Sequence, residues 1–228
     1  MSVAGVADDN PQFNPNYTIG LARPMKDWAA PDDGTAAANG KRTISMGPRS
    51  EREVGMGVSD ATTSIRLDQA LEQIRAARSY TLEMLGDLEP GEWFEMPGGV
   101  THIAWQVGHL AMAQYRLCLD RIRGERPDDS KLISLAMLTI FGKGSTPDAA
   151  QLKYPPVDDI RLAFERVHRA TLVECAKLKD TDLDAAPLKP HRLFNTKIGS
   201  LQWCARHEML HAGQIALLRR MLGRKPIW

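Results

Sequence analysis

No charge of either sign dominates this chain: 29 lysines and arginines face 28 aspartates and glutamates, a formal net charge of +1. Such a balance lacks the basic footprint of a nucleic-acid partner or of an acidic membrane surface. Cysteine is scarce. Cys118, Cys175 and Cys204 stand far apart with no CxxC pair, which suits reduced thiols better than a disulfide framework. A long apolar run is also missing. The most apolar stretch, Leu132 to Phe141, is interrupted by Ser134 and Thr139 and is half the roughly 20 residues a membrane-spanning helix needs. The first residues carry Asp8, Asp9, Asn10 and Pro11, where a secretory leader would carry basic and then apolar residues. A soluble cytoplasmic protein is therefore expected, with no nucleic acid and no membrane among its partners.

Residues 1–60 lack periodicity of any kind. They hold Pro11, Pro15, Pro24, Pro31 and Pro48 among few aliphatic residues, a composition that predicts a disordered tail. Residues 61–228 form the expected folded domain. From Ser64 onward, Leu67, Leu71, Ile74, Leu82 and Leu85 recur at helical steps, and Pro90 and Gly91 stop that segment. A second helix is predicted from Thr101 as N-cap to Arg123, ended by Gly124. A third follows Pro155 and Pro156, with Ile160, Phe164, Val167, Thr171 and Leu178 as its inner stripe. The last runs from about Ser200 to Gly223, with Pro226 beyond it. Strand patterns are absent. The expected fold class is thus all-α, a four-helix bundle whose long connection between helices two and three is a crossover. That connection carries one or two helical turns over Leu132–Phe141.

Four of the six histidines fall on the second and fourth helices. His207 and His211 are four residues apart, about 40° from a full helical repeat, so they project from one face and can chelate one ion. A core site wants a third ligand from a facing helix. His109 is the natural donor, because Trp105, Gln106, Met112 and Ala113 share its face. A single buried histidine is more often a hydrogen-bonded core residue than a ligand. Two imidazoles on one apolar stripe shift that balance, since burying both unpaired is costly. His207-Glu208-Met209-Leu210-His211 also matches the HExxH signature of zinc peptidases, in which the glutamate is the general base. The commonest peptidases take a third ligand downstream, and no His, Asp or Glu follows His211 in this chain.

The run Trp105-Gln106-Val107-Gly108-His109-Leu110, the run His207-Glu208-x-x-His211-Ala212-Gly213-Gln214-Ile215 and the ending Leu222-Gly223-Arg224-x-Pro226-x-Trp228 together resemble the DinB-like metalloenzyme superfamily. The resemblance covers roughly residues 62–228. It implies a four-helix bundle, a homodimer, and a divalent transition metal, zinc or nickel first, ligated by His109, His207 and His211. Better understood members are similar to thiol-dependent transferases and isomerases, so a low-molecular-weight thiol co-substrate and a small-molecule substrate are implied. Hydrolysis is the other reaction class. A non-catalytic, metal-stabilised dimeric bundle serving as a stress-related interaction module is the competing reading.

Neighbouring residues have assignable roles. Glu208 could take a proton from the nucleophile, although it lies about 100° around the helix from His207; otherwise it is a solvated carboxylate. Gln214 lies near the ligand stripe and could hydrogen-bond an imidazole. His102, seven residues before His109, lines the site or faces solvent at the helix start. Trp105 and Gln106 belong to the pocket wall. Arg116 and Asp120 continue the His109 face as an ion pair or a substrate clamp. Cys204 is read as a small apolar residue, and His168 and His191 are left outside the site.

Overall fold

The computed structural model describes residues 64–227; the tail expected over residues 1–60 lies outside the described residues. Among those described, the chain is all-α and has no strand beyond a single bridge between His191 and Phe194. Helix α1 spans Ile65–Leu85, capped by Ser64, whose hydroxyl accepts from the Leu67 amide. Helix α2 spans Ile103–Gln114, continues through a π-helical turn at Tyr115–Asp120 and ends in the short α3, Arg121–Arg123. Its N-cap is His102, not Thr101, because the His102 ring nitrogen rather than the threonine hydroxyl reaches the Trp105 amide. Gly124, at φ 85°, closes the segment, a conformation glycine adopts without penalty.

The short α4, Leu135–Ile140, sits in the long connection, as the apolar run there predicts. Helix α5, Val157–Cys175, buries Ile160, Phe164, Val167 and Thr171 at helical spacing. Leu178 falls past its end. After the single turn of α6, Asp180–Leu183, helix α7 runs Lys197–Met221, beginning three residues earlier than Ser200 because Thr196 caps it. Helix α1 packs along α7 and α2 along α5, while α2 also meets α7. The first and last long helices therefore pair with each other, and the two between them pair across the long connection. Leu82, placed by periodicity on the inner face of α1, is 52% exposed. The buried stripe of α1 instead passes through Arg78 and Thr81.

Arg78 is the reason. Its guanidinium is buried and donates from Nε to Glu208 Oε1 on α7 at 2.8 Å, from Nη2 to Gln114 Oε1 on α2 at 2.7 Å, and from Nη1 to the Phe164 carbonyl on α5 at 2.8 Å. Nη2 also reaches Glu208 Oε2 at 3.3 Å. The cation lies 3.3 Å from the Phe164 ring centroid. One side chain thus joins all four long helices. The outer member of the network is His168, whose Nδ1 meets Gln114 Nε2 at 3.2 Å.

Removing one partner of a buried ion pair leaves the other charge uncompensated, which costs roughly 3–5 kcal/mol. Arg78→Leu is expected to lower the unfolding free energy measured in urea by that order, and Arg78→Leu/Glu208→Leu to recover part of it; a fully stable single variant would contradict the network's role. A second expectation concerns pH. Burial first, then Arg78 and Arg75, push His168 down to about 3. Between the ordinary value of 6.5 and about 3 the unfolded chain binds the extra proton, so this contribution is complete above pH 6.5 and is lost as pH falls through that window. The stability gap between His168→Phe and wild type, measured by urea denaturation, should change in favour of the variant from pH 7 to pH 5. A gap independent of pH would show that His168 titrates normally.

Candidate metal centre

Helix α7 supplies His207 and His211 one turn apart, and α2 supplies His109 from the facing helix. The ligand atoms of the three rings all lie within 4.8 Å of one another. Among the described residues no other His, Cys, Asp or Glu joins this cluster. His109 and His211 are each 9% exposed. Ring centroids are 4.5 Å apart for His207 and His211, 4.8 Å for His109 and His211, and 5.3 Å for His109 and His207.

The hydrogen bonds behind these rings fix which nitrogen faces inward. His109 Nδ1 lies 2.9 Å from the Phe141 carbonyl oxygen. A carbonyl only accepts, so Nδ1 carries the proton and Nε2 keeps its lone pair. His211 Nδ1 likewise meets Gln106 Oε1, while Gln106 Nε2 donates to Thr101 Oγ1 at 3.0 Å. His211 is thereby held in the same tautomer. Its Nε2 sits 3.2 Å from His207 Nε2, so the trio gathers more lone pairs than protons. A proton could relieve this, yet burial pushes His207 down to about 4 and His211 to about 3, with the other imidazoles adding to both shifts. Burial also lowers His109. The donor set therefore fits a divalent cation: three neutral imidazoles, two of them held from behind with their lone pairs inward, as metal-binding histidines usually are.

Packing holds this geometry. The Trp105 ring stacks on His109 at 4.7 Å and 13° between planes, and its indole Nε1 donates to Ser145 Oγ at 3.0 Å. Gly108 is required by its neighbour, because a Cβ there would stand 2.6 Å from the Phe141 ring. The residue that gives its carbonyl to His109 can approach α2 only at that glycine. A cavity of about 590 Å³ opens onto His109 and His207 and is walled by Trp203, Met112 and Leu138.

Other sequence-predicted residues go elsewhere. Glu208 is neither solvated nor beside the imidazoles: it is 2% exposed and both its oxygens accept from Arg78. A carboxylate so engaged is an anchor, and the general-base expectation is set aside on that ground. His102 is fully buried instead of facing solvent, packed between Phe94 and Tyr154. Gln214 is exposed on α7 and makes no contact with the imidazoles. Arg116 does pair with Asp120, at 3.1 Å. Cys204 lies in the apolar core with Cys118 and Cys175. His191, left outside by sequence, lines the cavity, stacked on Phe194 at 4.2 Å. Phe141, Lys143 and Arg192 were missed because they sit in connections without periodicity. Arg78 had a signal: a charge in register with Leu71, Ile74 and Leu85.

Residues 73–215 match the family model of the DinB superfamily, more than half of the chain. No curated protein matches it. The hydrogen bonds make one expectation specific. In metal-free protein at neutral pH, long-range proton–nitrogen NMR correlations should find His109 and His211 protonated on Nδ1. Protonation of either on Nε2 would contradict the inward-facing lone pairs.

Proposed function

The chain belongs to the DinB superfamily, and from that premise we propose that it is a metal-dependent enzyme acting on a small molecule, by thiol-dependent S-transfer or by hydrolysis. The observation that carries this reading is a cluster of three neutral imidazoles, two of which open onto a cavity large enough for a substrate. His109, His207 and His211 would hold the ion, zinc or nickel before copper or iron, all of which accept imidazole. When bound, such an ion supplies Lewis acidity, which makes a nucleophile of water or of a thiol at neutral pH.

The chain's own residues do the rest. The Phe141 carbonyl and Gln106 hold protons on the outer nitrogens of His109 and His211, keeping Nε2 of each free and aimed. Trp105 covers one face of His109 and Trp203 flanks His207, limiting water around the site. Three protein donors leave a coordination position for a reactant, the pattern of catalytic rather than structural ions. That opening, and the cavity beyond it, favour an enzyme over a bundle merely braced by metal. The reading includes a homodimer, supported by the exposed Leu210, Leu217 and Met221 along one face of α7. No helix among the described residues is long and apolar enough to cross a membrane.

Elemental analysis of untagged protein tests the proposal. About one equivalent of a transition metal is expected in the wild type, lost in His109→Ala and His211→Ala. Gln106→Leu should retain the site with affinity weakened roughly 10–100-fold, the usual effect of removing an orienting partner. Wild type without metal after reconstitution would overturn the reading.

A further inference from the structure

The cavity beside the imidazoles is lined by Arg116, Arg121, Lys143 and Arg192, and among the described residues no acidic side chain lines it. Asp120, outside the lining, pairs with Arg116 at 3.1 Å but is shared with Lys189 at 2.7 Å. Lys143 and Arg192 have no ion-pair partner among the described residues. Arg121 is more telling, since its Nε is buried without any hydrogen-bond partner, while Nη1 donates only to the Arg116 carbonyl at 3.2 Å. Leaving a buried donor of a cation unmatched is costly. Four cations therefore line this cavity, with no carboxylate of the described residues lining it as their counter-charge.

The local backbone explains the pairing of Arg116 with Arg121. Five residues apart, they would lie about 140° from each other on a regular α-helix. Here the π-helical turn Tyr115–Asp120 intervenes, and the Arg121 amide bonds to the Arg116 carbonyl. The extra residue in the turn brings both side chains to the same cavity. Such π turns recur at functional sites.

We propose that this wall is an anion-binding subsite, so that the molecule processed at the imidazoles carries a carboxylate or a phosphate held by Arg121, with Arg116, Lys143 and Arg192 around it. The planar fork of arginine suits either group. A cavity of about 590 Å³ takes a small molecule rather than a polymer. The inference rests on the proposed metal-dependent function for what happens to the anion, but not for its binding.

Calorimetric titration separates the two. Glutarate, methyl phosphate and the neutral glutaramide are titrated into metal-loaded wild type and into His211→Ala, a variant of a residue outside the cavity lining. Glutarate or methyl phosphate should bind both proteins, with the stronger of the two naming the anion, and glutaramide should bind neither. Arg121→Gln should weaken binding about tenfold in either background, as the loss of a charge-assisted bond would. Arg192→Gln and Lys143→Gln, at exposed positions without an ion-pair partner among the described residues, should each weaken it severalfold. Binding confined to metal-loaded protein and unchanged in the arginine and lysine variants would overturn the subsite, as would binding of no anion at all. Anion binding by a protein that never takes up metal would uphold the subsite and overturn the proposed function.

Discussion

One buried guanidinium joins the two helices that carry the imidazoles to the rest of the core. Arg78 spends its donors on Glu208, Gln114 and the Phe164 carbonyl, and so ties α1 to α7, α2 and α5 at a single level. Glu208 directly follows His207, and Gln114 lies five residues beyond His109. The same contacts that close the core therefore set how α7 slides and rotates against α2. Buried ion pairs are weak sources of net stability, because desolvation offsets most of the attraction. Their value here is in register: a slip of α7 by one residue would strand a carboxylate in the core.

Given that register, the imidazoles are finished by short-range chemistry. A glycine at 108 lets Phe141 lie against α2, and the Phe141 carbonyl then fixes the tautomer of His109. Gln106, one turn before Leu110 on the same helix, does the equivalent for His211. Neither partner touches the space between the three Nε2 atoms, yet each decides that a lone pair points into it. Further along the same helical segment, the π turn redirects Arg116 and Arg121 into the adjoining cavity. The α2 side of the site and the adjoining cavity are in this way shaped by one helical segment, its glycine and its irregular turn.

Much of this was legible in the sequence, and for identifiable reasons. Helical periodicity, proline and glycine stops and serine or threonine caps mark the helices to within a few residues. The HxxxH spacing puts His207 and His211 on one face by geometry alone. What failed were inferences about which neighbour a side chain chooses. Glu208 reads as a general base or a solvated charge because its partner, Arg78, is 130 positions away, and nothing local records that pairing. His102 and Thr101 compete for one cap, and propensity favours the wrong one. His191, Lys143 and Arg192 come from connections whose path follows from packing, not from pattern. The π turn left no mark that helical periodicity could detect.

Among the described residues, three imidazole nitrogens and no other clustered donor would present an open site to one divalent ion. X-ray absorption spectroscopy on the full-length protein loaded with one equivalent of zinc tests this directly. Three imidazole nitrogens, completed by oxygen from solvent, are expected around the zinc. Sulfur in its first shell, or a fourth imidazole, would contradict that arrangement.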